Sequence, residues 1–223
     1  MKRTTLKTGD GSVTLHIPEW NEQYHSKHGA VAEARHVFIK QGLHYWISQH
    51  KVSEVAILEI GFGTGLNALL TQLEAEKNDW KITYTGVEAY PLTQSDLESL
   101  NFASITHSPK ELFQKLHAIS WEENHDVSAN FSLTKQEKYF SEIQDQQAFD
   151  VIYFDAFGIR VQPELWTEEI FEKMFQALCP KGILVTYAAN GKARRALEAV
   201  GFKVDRIPGP PGKKQMMRAI KTP

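Results

Sequence analysis

From residue 55 onward the sequence predicts a doubly wound α/β fold, a mostly parallel sheet with helices on both faces. Three observations carry this. Val55–Ile60 is a short apolar run rich in β-branched residues; it ends in the alternating glycines Gly61, Gly63 and Gly65, and a helical pattern starts at Leu66. Strand-like and helix-like stretches then alternate to residue 220, the pattern that winds a parallel sheet. Phe149–Phe154 is apolar at nearly every position, as expected of a strand covered on both faces. With 223 residues, 42% of them hydrophobic, the chain fits one domain over 1–223: a core of 55–223 and an N-terminal extension, 1–54, packed on it.

The elements follow in order. Val13, Leu15 and Ile17 alternate after the turn signal Gly9-Asp10-Gly11, predicting a small hairpin or an edge strand closed by Pro18. From Tyr24 to about His50 the pattern is helical. His25, His28 and His36 lie in this stretch without an acidic or thiol partner at ligand spacing, so they are expected to cap or hydrogen-bond locally, not to hold a metal. Leu66–Glu76 is the helix after the glycines, and Ile82–Val87 is a second strand ending in Glu88. Pro91–Leu100 and Pro109–Ala118 read as short helices, Trp121–Asp126 as a polar loop and Asn130–Thr134 as a third strand. Pro163–Leu178 is an amphipathic helix whose main part Thr167 caps and which Pro180 and Gly182 stop. Ile183–Tyr187 is a strand, Lys192–Val200 a helix closed by Gly201, and Phe202–Ile207 and Gln215–Ile220 are the final strands.

The glycine spacing narrows the ligand. A dinucleotide fingerprint needs a third glycine where this chain has Leu66, which disfavours a nicotinamide oxidoreductase. The spacing is instead G-x-G-x-G with Glu59 ahead of it, an acid that suits a ligand bearing an ammonium or sulfonium. S-adenosylmethionine has both, and the loop resembles motif I of the class I methyltransferases. The candidate cofactor residues are therefore Glu59, Gly61, Phe62, Gly63 and Asn67, with Glu88 positioned for the ribose hydroxyls. Asp155 ends the apolar Phe149–Phe154 strand at the sheet edge where ligands sit, which makes it the catalytic candidate. Tyr187, at the end of the neighbouring strand, is its expected companion as a wall or hydrogen-bond donor.

Charge and composition bound the rest. Residues 192–223 hold nine Lys/Arg against two acids, leaving 16 basic and 25 acidic side chains before them. A basic end on an acidic body fits a locally docked polyanion, with Arg194, Arg195, Lys213 and Lys214 as candidate contacts. Cys179, the only cysteine, excludes an intrachain disulfide and a multi-thiolate metal site; beside Pro180 at the expected helix end it reads as a small buried thiol. No segment reaches the apolar length of a membrane span, and the opening residues lack a secretory apolar region, so a cytoplasmic location is expected.

Several stretches together resemble one family. They are Tyr24-His25-Ser26 with Glu33–Phe38, Gly61–Asn67, Phe154–Phe157 followed by Pro163–Thr167, Thr186-Tyr187 with Gly191, Arg194–Leu197, and Gly201-Phe202. The chain is similar to the methyltransferase half of the bifunctional tRNA 5-methylaminomethyl-2-thiouridine biosynthesis proteins (MnmC) and to their free-standing relatives (MnmD). The resemblance implies a Rossmann-like sheet with an antiparallel last strand and S-adenosylmethionine as donor. It also implies the aminomethyl group of 5-aminomethyl(-2-thio)uridine at the tRNA wobble position as acceptor, tRNA as partner, and a functional link to an enzyme that supplies that nucleoside. The stretch Gly209–Met216 departs from the family's usual ending, near the edge expected to face the RNA. A small-molecule amine methyltransferase or an aminopropyltransferase would use the same loop and carboxylate.

Overall fold

Strand β4 (Glu54–Ile60) runs through the middle of an eight-stranded sheet in the structure, a computed structural model that describes residues 2–222. β5 (Lys81–Glu88) and β7 (Phe131–Glu137) lie parallel on one side of it, and β8 (Phe149–Phe154) and β9 (Leu178–Thr186) parallel on the other. Beyond β9, β11 (Gln215–Lys221) inserts antiparallel between β9 and the edge strand β10 (Phe202–Pro208). The fold is the Rossmann-like doubly wound sheet with an antiparallel last strand. Strand order reverses at β4, and in such sheets the crevice opens beyond the carboxyl ends of the strands flanking that point.

Periodicity explains the two cores. β4 and β8 are buried on both faces, so their apolar runs face helices on either side. One face packs against α3 (Leu66–Asn78) and the N-terminal helical run, through Val37, Phe38, Leu43, Leu69 and Leu70. The other packs against α7 (Glu168–Ala177) and α8 (Gly191–Ala199), through Ile170, Phe171, Met174 and Leu197.

Departures from the sequence expectations have local causes. The N-terminal helix starts at Ala30, not near Tyr24: α1 (Ala30–Ala34) passes into a π-helical stretch, Arg35–His44, and ends as α2 (Tyr45–His50). Within it a Cβ on Gly42 would lie 3.0 Å from both Tyr153 and Val185, so glycine lets this run lie close on the sheet. Before it, β1 (Thr4–Lys7), β2 (Val13–Ile17) and β3 (Glu22–Gln23) form a small antiparallel sheet, the expected hairpin with one strand more. The first expected short helix contracts to α4 (Gln94–Glu98), an unforeseen α5 (Phe102–Thr106) follows, and α6 (Lys110–Ala118) matches the second. Part of the expected acidic loop is β6 (Asn124–Asp126), paired antiparallel with β7.

The Pro163–Leu178 helix is corrected most. Pro163–Trp166 is a separate 3-10 turn, Thr167 caps α7, and Leu178 already belongs to β9. Pro180 and Gly182 do not separate helix from strand; they sit in a bulge between the pairs Phe149↔Leu178 and Val151↔Ile183, where a missing ladder donor is tolerated. Cys179 lies in this bulge, half-buried, with its thiol donating to the Gln147 carbonyl at 3.0 Å.

Candidate active site

Parallel pairing of β4 with β5 and β8 brings the glycine loop, Glu88 and Asp155 to one sheet edge, where they line a cleft of about 940 Å³. The loop is tied down from both sides. Gly61 and Phe62 N–H groups donate to the Val87 carbonyl at 3.0 Å, and the Asp155 N–H donates to the Ile60 carbonyl at 2.9 Å.

The three glycines have different reasons to be there. All have positive φ: +89° at Gly61, +49° at Gly63 and +69° at Gly65. A Cβ on Gly61 would fall 2.8 Å from the Asp155 carbonyl oxygen, and one on Gly65 would fall 2.8 Å from His117 Nε2. The protein's own packing demands a glycine at those two positions. A Cβ on Gly63 would meet only the Tyr24 ring, at an ordinary 3.5 Å. Gly63 is the member of the motif at which an added Cβ meets no close neighbour, the positive φ being its only structural cost.

Asn67, in the first turn of α3, organises the carboxyls. Its Nδ2 donates to Glu59 Oε1 at 2.8 Å and to Asp155 Oδ2 at 2.9 Å, while Tyr84 OH donates to the other Glu59 oxygen at 2.8 Å. Burial pushes both carboxyls well above their ordinary range; the Glu33 charge raises Asp155 further and the Asp155 charge raises Glu59 further. Asn67 Oδ1 is buried and has no hydrogen-bond partner among the described residues. Glu59 is 1% exposed with a donor on each oxygen, so it holds Asn67 in place, and it lines the cleft.

Glu88 turns back on the loop. One oxygen accepts from the Gly63 N–H and the other from the Tyr90 N–H, each at 2.9 Å, and burial raises its carboxyl. Phe62 points behind the loop and is 3% exposed; a Cβ on Gly86 would come within 2.4 Å of its ring, so β5 makes room for it. Next to it, Lys135 is buried with its ammonium on the His117 carbonyl at 2.7 Å. His25 reaches Thr14 with Nδ1 at 2.8 Å and Thr64 with Nε2 at 3.2 Å, pinning the N-terminal sheet to the glycine loop. His36 contacts the Pro208 carbonyl through Nε2 at 2.9 Å, and no group of three His, Cys, Asp or Glu among the described residues is placed to hold a metal ion.

At the other end, Tyr187 donates its hydroxyl to the Ala156 carbonyl at 2.9 Å, and its ring packs edge-on to Trp166. Lys213 lies over that ring, its ammonium 3.8 Å from the centroid, and forms an ion pair with Glu33 at 2.7 Å. Lys213, a candidate polyanion contact, thus lines the cleft with its ammonium paired. Arg194 pairs with Glu198 on α8, Arg195 and Lys214 are exposed, and none of the three lines the cleft. Part of the basic excess is structural. Arg218 is buried, stacked 3.4 Å from the Tyr45 ring centroid, and Lys221 caps α7 through the Phe175 and Leu178 carbonyls. Glu33 was missed, although a lone acid in the turn Ala30-Val31-Ala32-Glu33-Ala34 was a visible signal.

Comparison with known proteins agrees with this geometry. A family model described as S-adenosyl-L-methionine-dependent methyltransferase matches residues 98–222. A tRNA 5-methylaminomethyl-2-thiouridine biosynthesis bifunctional protein MnmC from Marinomonas sp. (strain MWYL1) is 31% identical over 90% of this chain and 31% of its own length. The protein of the same name from Pseudomonas syringae pv. tomato is 29% identical over 93% of this chain and 35% of its own. The chain thus spans about a third of the curated relatives it matches. The crystal structure of MNMC2 from Aquifex aeolicus superposes with a TM-score of 0.80 at 23% identity, covering 100% of this chain and 71% of that one, which shows the shared fold. With the family model matching more than half of its length, the chain belongs to the S-adenosyl-L-methionine-dependent methyltransferases.

Proposed function

We propose that this methyltransferase transfers the methyl group of S-adenosylmethionine to the aminomethyl nitrogen of 5-aminomethyl(-2-thio)uridine at the tRNA wobble position. The observation that carries this reading is that two carboxyls, Asp155 and Glu33, and the Tyr187 ring line one cleft, with both carboxyl charges acting on Tyr187. Acid beside aromatic ring is the chemistry that receives an alkylammonium. The relatives are named for tRNA 5-methylaminomethyl-2-thiouridine biosynthesis, a nucleoside methylated on that nitrogen.

The residues present fit the donor. Gly63 leaves the backbone open to close approach, Glu88 is a carboxylate set beside the loop for ribose hydroxyls, and the unpartnered Asn67 Oδ1 is an acceptor suited to an ammonium. Bound S-adenosylmethionine supplies a methyl carbon already activated by its sulfonium. The chain's own task is then positioning and proton handling. Asn67 fixes Asp155 through Oδ2, leaving Oδ1 to orient the acceptor nitrogen. An alkylammonium is protonated near neutral pH and must lose a proton before it attacks. A carboxyl raised by burial matches that amine better as a base than an exposed one would, and Asp155 is so raised.

Methyl incorporation tests the reading. Labelled S-adenosylmethionine is incubated with the protein and either bulk tRNA from cells lacking it or putrescine and spermidine. Label in tRNA alone is expected. Label in the polyamines alone would transfer the function to a small-molecule amine enzyme.

A further inference from the structure

Lys213 stands in a place built for a cation. Its ammonium lies over the Tyr187 ring at 3.8 Å and against Glu33 Oε1 at 2.7 Å, although the two chain segments are 180 residues apart. Both walls are held without the lysine. Glu33 Oε2 accepts from the Ser26 N–H at 2.8 Å, so the carboxylate keeps its orientation if Lys213 leaves. Tyr187 is fixed by its hydroxyl on the Ala156 carbonyl and by Trp166. The lysine, in contrast, belongs to a surface loop, and its side chain is 33% exposed where that of Glu33 is 10%. Asn67, whose buried Oδ1 has no partner among the described residues, lines the same cleft.

We propose that Glu33 and the Tyr187 ring face form the cation subsite of the acceptor, that it takes a primary alkylammonium, and that Lys213 occupies it until the acceptor displaces it. The inference rests on the amine-acceptor reading above and adds which residues recognise the amine. Energetics permit the exchange. A partly exposed lysine–carboxylate pair contributes little, and an acceptor ammonium placed on the same two walls recovers its contacts. The Glu33 charge also raises Asp155, so the subsite and the proton acceptor act on one another electrostatically.

Calorimetric titration of the full chain, free of S-adenosylmethionine, with 5-aminomethyluridine and with uridine tests this. Wild type should prefer the aminomethyl nucleoside. Lys213→Met should bind it about three- to fivefold more tightly, the gain from removing a weakly paired internal competitor, with uridine unchanged. Glu33→Gln should lose at least about tenfold of the preference for the amine, as expected for losing a charge-assisted contact. Because Lys213→Met leaves both walls in place, it carries the test alone if Glu33→Gln does not fold. Unchanged, weaker or undetectable binding of the aminomethyl nucleoside to Lys213→Met overturns the subsite, as does an intact amine preference in Glu33→Gln. Equal binding of both nucleosides by every variant overturns the amine-acceptor reading instead.

Discussion

Alanine at Gly61 and at Gly63 should have opposite consequences, though the two residues are neighbours in one motif. At Gly63 the new methyl meets only the Tyr24 ring at 3.5 Å, so the cost is that of holding an L-residue at φ +49°, about 1–2 kcal/mol. At Gly61 the methyl meets the Asp155 carbonyl oxygen at 2.8 Å and its carbon at 3.3 Å, at φ +89°. Overpacking of about 1–3 kcal/mol adds to a strain of about 1–3 kcal/mol, for a total of roughly 2–6 kcal/mol. Urea unfolding should therefore show Gly63→Ala losing about 1–2 kcal/mol and Gly61→Ala losing roughly 2–6 kcal/mol. Calorimetric titration with S-adenosylmethionine should then show the Gly63→Ala protein folded but at least about tenfold weaker in binding, since its methyl faces the cleft where the ligand needs close backbone approach. A folded Gly63→Ala protein with wild-type affinity would refute the placement of the donor on this loop.

Other residues give independent tests. Glu88→Ala should weaken S-adenosylmethionine by about 1–3 kcal/mol, because it removes a charged acceptor and frees the Gly63 N–H; calorimetry showing full affinity would assign the ribose to another group. Asp155→Asn should reduce turnover by about a hundredfold or more, with partial recovery at alkaline pH where the acceptor arrives deprotonated; near wild-type turnover at neutral pH would remove the proposed proton role. His117 is pushed down to about 4, first by burial and then by the Lys135 charge, so between its ordinary value and 4 only the unfolded chain protonates there. That contribution to stability is present above the ordinary value and lost as pH falls. His117→Gln should gain on wild type by up to about 1.4 kcal/mol per pH unit from pH 6.5 down to 4, and a difference constant with pH in urea unfolding would contradict a neutral buried imidazole.

The legible parts of this chain were those that local pattern decides. The Val55–Ile60 run, the glycines after it and the Phe149–Phe154 strand ending in Asp155 were readable because a parallel strand buried on both faces leaves an unbroken apolar signature. Glu88 followed from its place at the end of the next strand. β9 was misread at its start because Pro180 and Gly182 are ordinarily breaks, and only the register with β8 reveals the bulge that absorbs them. The Glu33–Lys213 pair had no local signature, since it joins the first helix to the last loop. The glycines show the same divide. Their spacing identified the loop, but only the distances to Asp155 and His117 reveal which of them serve packing and which the cleft.

The proposed acceptor is an aminomethyl nitrogen on tRNA. Its most direct measurement is mass spectrometry of nucleosides digested from tRNA that carries 5-aminomethyl-2-thiouridine, after incubation with the protein and trideuteriomethyl-labelled S-adenosylmethionine. The expected result is conversion of that nucleoside into one heavier by a single labelled methyl on its side-chain nitrogen, with the other nucleosides unlabelled. Label on a ring carbon, a ribose oxygen or a different base, with 5-aminomethyl-2-thiouridine left intact, would contradict it.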